Sequence, residues 1–573
     1  MSDDRRRTTD AGKEKRPSSY AGRWVARLRG KIIAQGGTPA QARHAAQGSR
    51  FKEVPEIAYM PTAEPLRLSP LLNTVLAALP SVQPLYLVGG SVRDALMGRL
   101  THDLDFLVPT GALGVARRVA KALAAAFFPL DEERDTGRVI VMNADGTRDV
   151  LDFTSFRGAD PSAGSGQALE ADLLARDFTI NAMAMDVRTQ SLLDPLGGAA
   201  DLREKRIRAC AATTFSDDPV RILRAVRQAA AFGFHILPAT RQAMRAAVDL
   251  LPKVSVERQR DELFRMLDGP QAAASLRALD LLEVLPRLLP ELPALKGFAQ
   301  PLPHVSDVWS HTLSVLQHLE SILAALAPDY DPDKASDLFT GLLVLRLGRY
   351  RQQFAGHFAA SLNPDRSLRA LLFLAALYHD VAKPLSRASD ENDRPRFWGH
   401  DEEGAEMATQ RANALHLSND EVSRLKTIIR NHMRVLFHTN RLIGEGKSPT
   451  RRAIYRFFRF TDQAGVDVIL LALADLRATY EQTLPQETWA ACLDVCRTFL
   501  ENWWEKPQEV IAPPPLVNGK DLMRAFGLSQ GPLIGQLLEA IREQQAMGKI
   551  TSSEEALTFG RNWLAEQKPE ETE

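Results

Sequence analysis

Cysteine is almost missing from this chain. Cys210, Cys492 and Cys496 are the only three in 573 residues, and none stands in a spacing that makes a zinc or redox motif, so disulfides are no part of the fold. Long apolar runs are missing too. Stretches such as LLFLAALY and VILLALA are far shorter than a bilayer span, which excludes a transmembrane helix. No apolar segment follows Arg5, Arg6 and Arg7, so the start does not read as a secretory signal, and a cytoplasmic protein with no membrane contact is expected. Net charge is absent overall, with 71 basic against 71 acidic residues. Its distribution is uneven, because residues 1–50 carry twelve Lys or Arg against four Asp or Glu. Two readings fit this arm: a segment that touches polyanions, or a solvated, disordered tail.

With 45% hydrophobic and 25% charged residues, the chain has the makeup of a globular protein, and at roughly 150 residues per domain its length predicts three to four of them. Residues 61–80 read as a helix, PLYLV as a buried strand, SVRDALMG as the start of another helix, and DLDFLV as a strand. An Ala-rich helix from Val115 to Phe127 follows, then a hairpin, RVIVMNADGTRDVLDFTSF, turning at Ala-Asp-Gly. Residues 158–168, GADPSAGSGQA, have the Gly, Ser and Pro content of a mobile loop, and beyond Asp201 strand patterns become scarce. Pro-rich breaks at 284–303 and 512–515 divide the helical remainder. The expected division is a basic arm (1–60), an α/β head with a small mixed sheet (61–202), an all-α neck (203–285), a helical domain (300–480) and a helical tail (481–573).

Gly89 and Gly90 stand between a strand and a helix, where missing side chains let phosphate oxygens approach backbone N–H groups and the positive end of the helix dipole. Arg93 adds a charged donor. Most such turns only connect elements, so the pair of aspartates that follows matters more. On a strand, residues i and i+2 share a face, so Asp103 and Asp105 converge while Leu104 and Phe106 face the core. Paired carboxylates of this kind hold hard cations such as Mg²⁺ for in-line phosphoryl or nucleotidyl displacement. Asp152, in phase with Thr154 on a neighbouring strand, is the candidate third carboxylate; a polar residue of an edge strand is the alternative. Asp218 and Arg221 are three apart, and on one helix face the carboxylate accepts from an exocyclic amine while the guanidinium donates to ring acceptors. Cytosine and adenine both offer an amine beside an acceptor. Arg224 and Arg227 extend the same face.

GGSVRD followed by DLD resembles the head signature of the class II tRNA nucleotidyltransferase and bacterial poly(A) polymerase family. EADLLARDFTINAMA is similar to that family's ribose- and triphosphate-contacting segment, with Arg176 and Asp177 matching its Arg-Asp and Asn181 its Asn. LLDPLGGAADLREKRIR, SDDPVRILRAVRQAAAFGF and SVERQRDELFRML resemble its next three motifs, in order, over about 180 residues. The resemblance implies a template-independent enzyme that adds CMP and AMP from CTP and ATP to the 3′ end of tRNA, with Arg224 and Arg227 meeting the triphosphate. It also implies Mg²⁺ on Asp103 and Asp105. Poly(A) addition, or addition of CC or A alone, is the alternative within the family. The chain departs from the pattern where Asp217-Asp218 replaces the usual Glu-Asp and Ala175-Arg176 the usual two arginines. In the region of the family's flexible loop, residues 110–138, the candidates are Asp131, Arg134 and Arg138.

LLFLAALYHDVAKP ends an apolar helix on His379 and Asp380, which are costly there unless partnered. His311 in DVWSHTL, His400 in FWGHDEEGAE and His432 in TIIRNHMR are further candidates, Asp475 interrupts the apolar run VILLALADL, and imidazoles and carboxylates from separate helices can enclose a divalent transition metal. The pattern resembles the HD phosphohydrolase superfamily, whose ligands match His311, His379, Asp380 and Asp475, with His400 and His432 matching the extra histidines of some members. Metal-activated phosphoester hydrolysis, with 2′,3′-cyclic phosphate ends as substrates, is what that resemblance implies. A helical domain with satisfied core histidines is the alternative, as single residues such as His44, His235 and His416 are expected to be. Gly519, Lys520 and Asp521 in the tail either cap a helix at an RNA phosphate or form a structural turn.

Overall fold

Short alternating segments build the first part of the molecule. Arg23–Leu28 (β1) and Lys31–Gly36 (β2) pair antiparallel around Arg29-Gly30, and Glu56–Met60 (β3) joins the other edge of β1. Val25 and Ala26 are fully buried in this sheet. Trp24 donates its indole N–H to the Leu192 carbonyl (2.8 Å) and lies 5.4 Å from the Tyr59 ring, which ties the small sheet to the head. The computed structural model describes residues 20–567 except 49–52, 63–65, 67, 144–146, 157–164, 332, 334–336, 392 and 394. Most of the expected arm is therefore folded. Its four arginines and one lysine between 23 and 43 hid a strand alternation, and only residues 1–19 and 49–52 of the stretch lie outside the described part.

Seven further strands follow: Tyr86–Val88 (β4), Asp103–Val108 (β5), Ala126–Asp131 (β6), Thr136–Met142 (β7), Arg148–Ser155 (β8), Ala184–Asp186 (β9) and Leu192–Leu193 (β10). They form one mixed sheet in the order β10-β9-β4-β5-β8-β7-β6, with β5 and β8 parallel and the other neighbours antiparallel. The β5–β8 register sets Asp105 opposite Asp152 and Phe106 opposite Phe153, whose rings stack at 4.8 Å. Leu104, Phe106, Leu151 and Phe153 pack with Val115, Ala116 and Val119 of the helix Ala112–Leu123. Each such side chain contributes about 1.5–3 kcal/mol when fully buried. That helix is shorter than its Ala-rich sequence predicts: Ala124 turns left-handed (φ 50°), and Ala126 and Phe127 open β6. The helix expected over 61–80 spans only Leu71–Ala77. Of the expected loop, 157–164 lie outside the described residues, and 165–168 open the helix Ser165–Leu174.

The chain divides into two compact units, one up to Ala247 and one from Val248. The boundary falls inside the segment expected as a single neck over 203–285. Its first half is joined to the head by an isolated bridge, Phe178 to Ala209, and is closed on itself by a parallel pairing, Arg206 to His235. In the second unit, the helices Val308–Ala325, Leu368–Tyr378, His400–Ala414, Asn419–Asn431 and Ala464–Tyr480 pack around one buried cluster. The tail is helical, as expected. At Gly519–Phe526 the cap is Asn518, whose side chain accepts from the N–H groups of Lys520 and Asp521 while Asp521 accepts from Asn518 N–H.

Candidate active site and metal centre

Gly89 takes φ 67°, ψ −131°, and the helix Gly90–Leu96 starts immediately after it. A Cβ on Gly89 would lie 2.8 Å from Arg176 Nη1 and 3.6 Å from Asp105 Oδ2, so glycine is what lets this turn sit between a guanidinium and a carboxylate. Ser91, buried, donates from Oγ to the Asp103 carbonyl and accepts from Asp105 N–H, each at 3.0 Å. That hydroxyl staples the helix to the strand carrying both aspartates, and sequence reading missed it. Its only signal is a small polar residue on the inward side of the helix.

Asp103 and Asp105 are exposed on one face of β5 while Leu104 and Phe106 are buried, as expected. Asp105 lines a cleft of about 160 Å³ with Asp152, Asp172 and Arg176. Desolvation by the surrounding protein raises its pKa; the Arg176 guanidinium opposes this, and Asp152 and Asp103 reinforce it. Such crowding of carboxylates favours a cation. Asp152 is also bound by Arg138 through two 2.8 Å bonds, so of the loop candidates Arg138 reaches the site. Asp131 instead holds Arg134 N–H within the β6–β7 turn.

A polar chain supports the cleft. Arg93 donates to Asn181 Oδ1 (2.7 Å) and lies 4.6 Å from the centre of the Phe232 ring. Asn181 donates to Asp177 Oδ1 (3.0 Å) and to Gln228 Oε1 (3.1 Å), and Asp177 Oδ2 meets Arg224 at 3.2 Å. Arg176 pairs with Asp172 at 3.3 Å. Gln228 and Asp172 were not anticipated; Gln228 betrays itself only as a polar residue in the buried phase of its helix. The same Asp177 raises the Cys210 thiol: burial first and the carboxylate second push it up to about 12.

One part of the base-reading geometry is different from expectation. Asp218 is not on a helix face, since the helix Thr214–Asp217 ends at it in extended conformation (φ −149°, ψ 94°) and the next helix begins at Arg221. Pro219 is the cause, because the residue before a proline is driven out of the helical region. The pair is still adjacent, with Arg221 Nε 3.9 Å from Asp218 Oδ2. Arg221 is anchored by the Thr214 and Ala175 carbonyls (3.3 and 3.2 Å). Arg224 and Arg227 follow along the helix Arg221–Phe232.

In the second unit all six expected residues come together. Two groups of three bring ligand atoms within 4.8 Å of one another: His311, His379 and Asp475, and Asp380, His400 and His432. All are buried. His379, His400 and His432 each donate Nδ1–H to a backbone carbonyl three residues earlier, at 2.7, 2.7 and 2.6 Å. This orients each ring so that Nε2 is aimed inward. His400 Nε2 and His432 Nε2 then face each other at 3.3 Å, whereas His379 Nε2 lies 3.1 Å from Asp380 Oδ2, which raises its pKa against the effect of burial. Burial, then His400 and His379, push the His432 pKa down to about 4, so a proton does not relieve the contact. Burial works against ionised Asp380, but His379 and Lys383 outweigh it and hold its carboxyl well below the usual range. Lys383 Nζ is 2.6 Å from Asp380 and from Gln300 Oε1. Inward lone pairs beside two ionised carboxylates are the donor set of a divalent cation. His304, not anticipated, packs its ring edge 5.1 Å from His311. His416, by contrast, lies at the surface with Glu257 (2.8 Å).

Comparison with known proteins agrees with this layout. Residues 85–208 match the Poly A polymerase head domain family, 233–295 the RNA and SrmB-binding site of polymerase A, 308–476 the HD domain and 508–559 tRNA nucleotidyltransferase domain 2. The A-adding tRNA nucleotidyltransferase of Deinococcus radiodurans is 33% identical over 84% of this chain and 96% of its own length. The CC-adding tRNA nucleotidyltransferase of Thermus thermophilus is 33% identical over 83% of this chain and 93% of its own. The fold is similar to that of a CCA-adding enzyme solved with CTP, with a TM-score of 0.54 and 21% identity over 86% of this chain and 98% of that one. No helix among the described residues is long and apolar enough to cross a membrane.

Proposed function

The chain belongs to the tRNA nucleotidyltransferases, and from that premise we propose that it adds CMP and AMP, taken from CTP and ATP, to the 3′ end of tRNA without a nucleic-acid template. The observation that carries this reading is the pair Asp103 and Asp105, exposed on one face of β5 beside the Gly89-Gly90 turn. Asp103 and Asp105 are the residues that hold Mg²⁺, with Asp152 next to them. Mg²⁺ there supplies charge neutralisation on the triphosphate and a lowered pKa for the primer hydroxyl. The Gly-Gly turn admits phosphate oxygens to backbone N–H groups. Arg93, locked by Asn181, and Arg176, Arg224 and Arg227 hold the triphosphate, with Asp177 and Asn181 positioning them. Asp218 accepts from the amine of cytosine or adenine and Arg221 donates to the adjacent ring acceptor. The primer 3′ oxygen displaces pyrophosphate from the α-phosphorus, and working on tRNA the enzyme acts in the cytoplasm.

A second reading, addition of CC or of A alone, is favoured by the names of the relatives that align with more than four fifths of this chain. Extension of tRNA transcripts ending before, within and just short of CCA, with each NTP singly and in pairs, separates the two. CC from CTP followed by one A from ATP is the expected outcome. One nucleotide type only, or long A-tails, moves the assignment within the family, and no extension at all removes it.

In the second unit His311, His379, Asp380 and Asp475, with His400 and His432, would hold a divalent transition metal, supported by the two buried groups of three and by the facing Nε2 atoms of His400 and His432. Such a centre supplies activated water for phosphoester hydrolysis. RNA ends carrying 2′,3′-cyclic phosphate are its proposed substrates.

A further inference from the structure

The helices Asn419–Asn431 and Met433–Glu445 are joined by His432 alone, which itself keeps helical dihedrals (φ −59°, ψ −32°). Lys426, Arg430 and Arg434 therefore continue one line at intervals of four residues, about 6 Å per step. They line a cleft of about 380 Å³ together with Ser423, Thr427, Asn431, Phe460 and one carboxylate, Glu402. His432 turns into the metal centre, whereas these cations line a cleft of their own on the same helix pair.

Two features distinguish this cleft from a merely solvated helix face. Arg434 is half-buried with its guanidinium carbon 4.6 Å from the centre of the Phe460 ring, and among the described residues no carboxylate reaches ion-pair distance of it. Desolvation lowers its pKa and Asp401 only partly offsets this, so an anion arriving here meets a cation already partly desolvated. Phe460 is itself 59% exposed, leaving an aromatic ring beside the charged row. Lys426 and Arg430 are paired with Glu406 and Glu402 at 2.8 Å. These pairs are solvent-exposed and weak, and they exchange readily for phosphate.

We propose that this cleft binds single-stranded RNA, its phosphates following Lys426, Arg430 and Arg434 and one base stacking on Phe460. A row of like charges selects a polyanion, and an exposed ring beside it selects one that carries bases. The site is independent of nucleotide addition in the head.

The test uses the full chain and a twelve-nucleotide oligouridylate with one 4-thiouridine, photo-crosslinked and mapped by mass spectrometry. A crosslink on the peptide containing Phe460 is expected. Arg434→Ala and Phe460→Leu should each lower its yield about tenfold, the size of one lost base stack, and Phe460→Tyr should restore it, with thermal melting unchanged. Crosslinks confined to residues before Val248 would overturn the site. Loss with Arg434→Ala but not with Phe460→Leu would overturn it too, since that is the behaviour of a plain anion patch.

Discussion

Asp152 stands directly across from Asp105 in the parallel register of β5 and β8, yet both its oxygens are engaged by Arg138, Nε to Oδ1 and Nη2 to Oδ2, each at 2.8 Å. The two carboxylates are thus unequal. Asp105 is raised in pKa by the surrounding protein and, among the described residues, no side chain bonds it at such range, whereas the charge of Asp152 is already balanced.

From this asymmetry, Asp105→Ala should lower the rate of nucleotide addition by at least about 100-fold, the scale of losing a preorganised electrostatic contact in an active site. tRNA binding, measured by filter retention, should stay within a few fold. Asp152→Asn should cost clearly less than Asp105→Ala. Wild-type rates in Asp105→Ala would remove the metal assignment; equal losses in both variants would make Asp152 a full partner despite Arg138.

A second carboxylate acts on stability. Asp135 accepts from Ala112 N–H (2.8 Å), Leu113 N–H (3.0 Å) and Ser155 Oγ (2.5 Å), and so caps the helix Ala112–Leu123 from a distant turn. Burial opposes its ionisation, but Ser155 and the backbone amides outweigh that and its pKa is lowered. A lowered carboxylate stabilises the folded state fully above its unfolded pKa, about 3.9, and that stabilisation is lost as pH falls through the folded value. Asp135→Ala should cost about 1 kcal/mol, as cap removal does, at pH 7 in denaturant melts, with the difference from wild type shrinking below pH 4. A constant difference down to pH 2 would show that the charge plays no part.

How much of this was legible before the fold was known depends on where the partners lie. Asp103 and Asp105 could be placed because alternation on a strand is local, and the resemblance of five motifs supplied the rest of the head. Asp218 was misplaced because a spacing of three suggested a helix and the effect of Pro219 was overlooked. The β1–β3 sheet was missed because arginines masked its alternation. Arg138 on Asp152, Asp135 on a helix 22 residues away and Gln228 on Asn181 are long-range pairings that no window of sequence contains. The six metal-type residues were found because charged groups interrupt apolar helices, whereas His304, in a Pro-rich loop, gave no such contrast.

The second unit predicts its own separation from the first. His379→Ala/Asp380→Ala should lose bound transition metal, read by elemental analysis of the purified protein, together with any phosphoesterase activity, and should keep nucleotide addition. Unchanged metal content in that variant would place the ion elsewhere.

Asp467 supplies the last prediction. It is fully buried on the helix Ala464–Tyr480 and accepts from Arg424 (2.8 Å) and meets His357 at 2.9 Å. Arg424 lies eight residues before His432 and Asp467 eight before Asp475, so the ion pair clamps two helices about 12 Å, or two turns, from the ligands they carry. Arg424→Met leaves the carboxylate buried with only His357, and breaking a buried pair from one side costs about 3–5 kcal/mol. The double variant Arg424→Met/Asp467→Leu removes both charges and should recover much of that loss in chemical denaturation. Metal affinity should follow the same order, weakest in Arg424→Met, because a slipped helix pair moves His432 and Asp475 apart. Single variants within 1 kcal/mol of wild type, with metal affinity unchanged, would mean that the apolar contacts of these helices hold the centre without the clamp.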